Sequence, residues 1–195
     1  MSSVEDREGH ARTQRAAQPA VTPRSQLHAQ PRARAERAEH YLLGRPHGEY
    51  NADDIRVIVG HYYTTAEPVG LDPLLVIAQM ALETGGLTSF WSQRPRRNPA
   101  GIGVTGAPGA GVSFPSWKTA VRAHTGRLLA YSLPSGDENQ LQHQLIEEAL
   151  AHRALPQRFR GVAARLEGLA GTWAADPQYA VKLARVANEI RAQDL

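Results

Sequence analysis

The chain of 195 residues has no cysteine. That excludes disulfide scaffolds, thiolate zinc sites and cysteine nucleophiles. No apolar run approaches the roughly 20 residues a membrane helix needs, so membrane insertion is not expected. The N-terminal stretch holds no apolar segment of the secretory kind, so an ordinary signal peptide is not expected either. Lysine is nearly missing: the basic residues are 20 Arg and 2 Lys against 19 acids, a net charge of +3. The eight histidines show no metal spacing. There is no H-E-x-x-H and no Gly-x-Ser-x-Gly elbow, so no metal site and no cofactor is expected. The most informative absence is local. From Thr84 through Gly136 there is no Asp or Glu.

The charge is uneven. Residues 1–47 hold eight Arg and five acids, and residues 48–195 hold fourteen of each sign. A neutral body argues against a nucleic-acid binder, whose charge clusters on the folded domain. Residues 1–47 are rich in Ala, Arg, Gln and Pro and read as a disordered basic tail, with a short helix around Arg32–Leu43. Residues 48–195 read as the folded domain.

That domain is mainly helical. Asp53–Thr64 places Ile55, Ile58, Val59 and Tyr62 on one stripe. Asp72 and Pro73 open a second helix, apolar nearly all round and therefore central, which Gly85-Gly86 ends. Residues 98–115 change character: two extended pieces around a glycine-rich turn, a small β-hairpin at best. Ser116 caps a helix carrying Trp117 and His124, both read as core. Further helices are expected at Asn139–Ala151, at Val162–Leu169, and from an Asp176 N-cap onward.

Glu83 stands out. It lies in the last turn of the most apolar helix, where burial and the negative helix end both disfavour its charge. A carboxyl kept neutral near pH 7 suits a general acid. Gln79, one turn back, is placed to hydrogen-bond it. Asn98 reads either as a ligand for an acetamido group or as a turn former before Pro99. Gly101, Gly103 and Gly106 let the backbone approach a ligand closely. Trp91 either lines a groove or plugs the lobe junction. Arg94, Arg96 and Arg97 form a basic knot that reads as a cationic rim or as a solvated loop.

Four stretches, in order, carry a family resemblance. Ala78-Gln79-Met80-Ala81-Leu82-Glu83-Thr84-Gly85 resembles the A-Q-x-x-L-E-[ST]-G segment of the bacterial glucosaminidases (glycoside hydrolase family 73). Asn98-Pro99-Ala100-Gly101-Ile102-Gly103 is similar to that family's N-N-L-F-G-I-K stretch. Phe114 through His124 is similar to its Y-x-S helix start, and Trp173-Ala174-Ala175-Asp176-Pro177-Gln178-Tyr179-Ala180 to its Y-A-T-D-P-x-Y-A motif. The resemblance spans about residues 50–192.

It implies a lysozyme-like fold: an α-lobe, a small β-lobe and a groove for a glycan strand between them. It implies a peptidoglycan hydrolase of the endo-β-N-acetylglucosaminidase type. The family's catalytic acid carries over to Glu83 and its substrate-contacting aromatic to Trp173, where the pattern has Tyr. Stacking on a sugar survives that change; the phenolic hydroxyl does not. Asp176 reads as structural, and Tyr179 as core or ligand contact. Glycosidases usually set two carboxyls about 5.5 Å apart for retention or about 6.5–9.5 Å for inversion. The carboxylate-free stretch removes any second acid from the expected β-lobe. Three routes stay open: attack by the substrate's own 2-acetamido group, a carboxylate from another helix, or lytic-transglycosylase chemistry with one Glu. A non-catalytic wall-binding module is the competing class. The substrate lies outside the cytoplasm. Without a visible leader, delivery by a phage, an injection apparatus or another signal-independent route is the expectation, with the basic tail as the contact for a phage-tail or secretion-machine partner.

Overall fold

A computed structural model describes residues 18–195. Its elements are six α-helices joined by loops and short 3₁₀ turns: α1 Ala35–Leu43, α2 Ala52–Ala66, α3 Pro73–Thr84, α4 Trp117–Ser132, α5 Gln140–His152 and α6 Tyr179–Arg191. The helix starts follow from local chemistry. Asn51 and Asp54 form a reciprocal capping box at α2, and Asn139 and Gln142 form another at α5. Asp72 accepts from the Leu74 amide with Pro73 in the first turn of α3, and Ser116 accepts from the Thr119 amide at α4. Helix α3 stops at Gly85, whose φ of 59° is left-handed.

Helix α3 is the centre of the body. Every residue from Pro73 to Ala81 is buried, with α1, α2, α4 and α6 packed around it. A helix with no polar face has to lie inside, and only its last turn comes out at Leu82 and Glu83.

Three expectations need correction. First, the boundary at residue 47 does not hold. Val21, Leu27, Ala38, Tyr41 and Leu42 are buried in the common core. Asn188 clamps Val21 by accepting from its amide at 2.9 Å and donating to its carbonyl at 2.8 Å. Arg32 pairs with the fully buried Asp72 at 2.6 Å. The packed body therefore includes residues 21–47; residues 1–17 of the expected tail lie outside the described residues. The short helix within it is present as α1.

Second, Val162–Leu169 is no α-helix. Only a 3₁₀ turn, Leu166–Leu169, forms there. The backbone pairs instead with the N-terminal segment: Leu27 N donates to Ala164 O (3.0 Å), Leu166 N to Ser25 O (3.1 Å) and Glu167 N to Pro23 O (2.8 Å). Likewise α6 starts at Tyr179 rather than after Asp176, whose side chain accepts from the Gln178 amide at 2.8 Å in a turn ahead of the helix.

Third, the hairpin is a loop. Among the described residues no strand is formed, and residues 98–115 share one cross-loop backbone bond, Val112 N to Ile102 O at 2.9 Å. The Asn98 side chain replaces the ladder. It donates to Ile102 O (2.8 Å) and Val112 O (2.9 Å) and accepts from the amides of Ala100 (3.2 Å) and Ile102 (2.9 Å). Those are the backbone groups that strand pairing would have used.

Candidate active site

Glu83 emerges from the last turn of α3 into a cleft of about 390 Å³. Asn98, Ala100, Gly101 and Val104 of the 98–104 loop line it, as do Trp173 and Ala174. Trp91, Ser89 and Thr84 complete the lining. That volume falls within the range of about 300–1,000 Å³ usual for small-ligand clefts. Glu83 is the only carboxylate among its lining residues.

Burial pushes the Glu83 carboxyl above its ordinary range. The negative end of α3 acts in the same direction. Two donors oppose this: the Tyr179 hydroxyl, 2.5 Å from Oε1, and the Trp173 indole. No charged side chain contributes. The result is a carboxyl that holds its proton more tightly than a surface Glu does, yet has a donor ready to stabilise its anion. That is what a group must offer if it is to give up a proton and take one back. Oε2 faces the loop: a Cβ built on Gly101 would lie 3.8 Å from it. Gly101 has a φ of 63°, so the sequence places its smallest residue where the loop backbone passes the acid.

The remaining candidates divide. Trp173 lines the cleft, half-buried, with its ring against Tyr131 (5.0 Å between centroids) and His124 (5.9 Å). Trp91 also lines the cleft, with Gly111 packed so closely on its ring that any Cβ there would collide. It thus both faces the groove and fastens the loop. Asn98 touches the lining, but its amide is fully engaged by the loop backbone, so it has no donor to spare for an acetamido group. Gln79 is fully buried and does not reach Glu83; Tyr179 stands between them, accepting from Gln79 Nε2 at 2.9 Å. Tyr179 itself is buried, and its hydroxyl touches the acid rather than the open cleft.

The arginine knot forms no rim. Arg94 pairs with Asp54 at 2.8 Å, Arg96 donates to Phe90 O at 2.6 Å and stacks over the Phe90 ring, and Arg97 donates to Pro95 O and Phe114 O. All three tie loops together, and none lines the cleft. Sequence reasoning did not reach Thr84, Ser89, Val104 or Ala174 as lining, nor the link from His124 to Gln79 (2.9 Å). Small residues on loops carry no periodic signal, and contacts between different helices leave none in the local sequence. A second cavity, about 900 Å³, lies elsewhere, lined by Arg32, Arg34, Arg37 and Arg191 among others, and contains no residue of this site. No group of metal-ligating side chains occurs among the described residues. No helix among them is long and apolar enough to cross a membrane.

The crystal structure of S. aureus autolysin E in complex with the muropeptide NAM-L-Ala-D-iGlu is similar at 12% identity and a TM-score of 0.47, covering 88% of this chain and 72% of that one. A catalytic mutant of the same autolysin in complex with the disaccharide NAG-NAM is similar at 11% identity and a TM-score of 0.47, with the same coverage. No curated protein matches the chain. The glucosaminidase family model, described as mannosyl-glycoprotein endo-β-N-acetylglucosaminidase, matches residues 59–192, well over half of the sequence, and the protein belongs to this family of glycoside hydrolases.

Proposed function

We propose that the protein hydrolyses the β-1,4-linked glycan strand of peptidoglycan, on the N-acetylglucosamine side, with Glu83 as general acid and base. It then acts in the cell wall, outside the cytoplasm. The observation that carries the reading is one carboxyl, its pKa raised by burial, in a cleft with no second carboxylate among the lining residues. A two-carboxylate mechanism needs a partner acid across the bond. The 2-acetamido group of the sugar supplies the nucleophile instead. Its carbonyl oxygen attacks C1 while Glu83 protonates the departing glycosidic oxygen, which leaves as an alcohol. The ionised Glu83 next takes a proton from water, whose oxygen attacks C1, reopens the oxazoline ring and leaves the anomeric configuration retained. Trp173 and Trp91 offer faces on which pyranose C–H surfaces stack. Asn98 and Gly101 shape the loop that lines the cleft beside Glu83.

The test is digestion of purified peptidoglycan with mass analysis of the muropeptides. Reducing-end N-acetylglucosamine is expected, and Glu83→Gln should lose about 10²–10⁴-fold in rate while remaining folded. Reducing-end N-acetylmuramic acid would place the cut at the other bond, and 1,6-anhydro ends would show transglycosylase chemistry. No product at all would leave a wall-binding module. A mannosyl-glycoprotein bearing an N-acetylglucosamine core is the control for substrate class. Exclusive cleavage there would refute the peptidoglycan assignment.

A further inference from the structure

Glu83 terminates a chain of side-chain hydrogen bonds that runs inward, away from the cleft. Tyr179 Oη donates to Glu83 Oε1 at 2.5 Å, and Gln79 Nε2 donates to Tyr179 Oη at 2.9 Å. Gln79 Oε1 lies 2.9 Å from His124 Nε2, and His124 Nδ1 lies 2.9 Å from Tyr62 Oη. The five residues come from α2, α3, α4 and α6, and Tyr62, Gln79 and His124 are completely buried.

The direction of each bond follows from which groups can donate. Ionised Glu83 only accepts, so the single Tyr179 hydroxyl proton goes to it. The Tyr179 oxygen then accepts from the Gln79 amide nitrogen, which turns the Gln79 oxygen toward His124. That oxygen only accepts, so His124 must carry its proton on Nε2. Burial pushes the His124 pKa down to about 3, so the ring is neutral and Nδ1 is an acceptor for the Tyr62 hydroxyl. All four bonds point toward the acid.

This polarity distinguishes the two oxygens of Glu83. A proton on Oε1 would face the Tyr179 hydroxyl proton, which has no other acceptor while Gln79 presents its N–H. Providing one requires the Gln79 amide to turn over and the imidazole to change tautomer inside a packed core. Oε2 is not tied to the buried chain in this way and lies beside Gly101, where a built Cβ would be 3.8 Å from it. We propose that His124, as the neutral Nε2–H tautomer, is a positioning residue for the acid–base step: it fixes the Gln79 amide and through it the Tyr179 hydroxyl, so that Glu83 carries its transferable proton on Oε2. The proposal rests on Glu83 being the general acid. In the first step the Oε2–H bond breaks, the glycosidic oxygen gains the proton, and the electron pair stays on a carboxylate whose Oε1 is already held by Tyr179. In the second step Oε2 recovers a proton from water.

His124→Gln keeps an amide N–H near the Nε2 position, whereas His124→Leu removes it. Rates are measured against pH on soluble, uncrosslinked peptidoglycan strands. His124→Leu should lower kcat by at least about tenfold with KM within about twofold. It should also move the alkaline limb of the profile to higher pH, because Tyr179 can turn to Gln79 and deprive ionised Glu83 of one of its two donors. His124→Gln should restore most of the rate and the original limb. The groups that bear on Glu83 are the donors Tyr179 and Trp173, and no charged side chain does, so a moved limb that His124→Gln restores reports a hydrogen bond to Glu83 and not a nearby charge. Equal losses in both variants with the limb in place would reduce His124 to packing and overturn the proposal. A measurement on the unaltered protein covers the case in which His124→Leu does not fold. Nitrogen-15 spectra of labelled histidine should show the His124 ring neutral and protonated at Nε2 from about pH 5 to 8, and an Nδ1–H tautomer would overturn the proposal. The general-acid reading fails separately: it falls if Glu83→Gln keeps its rate, whatever the imidazole does.

Discussion

Gly101 offers a sharp separation of fold from chemistry, because two different costs meet at one atom. Its φ of 63° puts any L-residue in the left-handed region, which costs about 1–2 kcal/mol. For a chain of this size that lowers the melting temperature by about 2–8 °C. The Cβ of Gly101→Ala would lie 3.8 Å from Glu83 Oε2, an ordinary van der Waals contact, so no clash adds to the strain. The methyl nevertheless takes the place where a glycosidic oxygen must come within about 2.6–3.2 Å of the proton donor. Displacing a reacting atom by about 1 Å costs on the order of 10²-fold in rate. Gly109 is the internal control: its φ is 74°, and a Cβ there would meet nothing within 4 Å. Gly101→Ala and Gly109→Ala should melt within about 2 °C of each other. Turbidity clearing of a wall suspension, followed by initial rates on soluble strands, should drop by about 10²-fold for the first and less than about threefold for the second. If both keep their activity, the scissile bond does not pass between Oε2 and this loop, and the cleft geometry argued above is wrong.

Other outcomes follow from the same contacts. A group whose folded pKa is raised contributes stability that is complete below its unfolded pKa and lost as pH rises through the folded value. For Glu83, ordinarily 4.5, that means the buried charge destabilises the protein near neutrality. Glu83→Gln should therefore melt higher than the parent at pH 7 by calorimetry, with the gap closing below about pH 4.5; a gap independent of pH would refute the burial argument. Asn98→Ala leaves the Val112 carbonyl and the Ala100 and Ile102 amides without their Asn98 partner, and the Ile102 carbonyl with the Val112 amide alone. A loss of about 2–4 kcal/mol in denaturant unfolding is expected, with faster amide exchange at Ile102, and unchanged exchange would show that the loop is held otherwise. Arg32→Met strands the buried Asp72 and should cost about 3 kcal/mol. A cost near zero would put residues 21–47 back outside the packed body.

What the sequence disclosed depended on how far each signal reached along the chain. Helices α2 to α5 were legible because the signals lie within one or two turns: the Ile55, Ile58, Val59 and Tyr62 stripe of α2, Asp72 with Pro73 at α3, Ser116 at α4. The segment 162–169 has the same apolar spacing, but its backbone groups are taken by residues 23–27, more than a hundred positions away. No local window contains that competition. The N-terminal region misled for the mirror reason. Its few apolar residues, Val21, Leu27, Tyr41 and Leu42, are too sparse to suggest a core, yet each fits a place in one that other helices have already built. In residues 98–115 the glycines suggested a turn correctly, but one side chain, Asn98, had taken over the bonding that would have made strands.

The site divides along the same line. Glu83 could be singled out because its unusual setting is written in its own helix: an apolar run, a helix end and a glycine stop. Its tuning could not be read that way. Gln79 shares the helix and looks like the natural partner, but i,i+4 spacing says only that two side chains are near, not what lies between them. Tyr179, nearly a hundred residues on, takes that place and converts a direct contact into one link of a directed chain. The same logic explains why His124 reads as an ordinary core histidine. Each of its bonds is satisfied, so nothing about the residue alone is odd. Its consequence, in the role proposed for it, lies in the polarity of the series, which exists only once four helices have packed and which would leave the transferable proton on one oxygen of a single carboxyl.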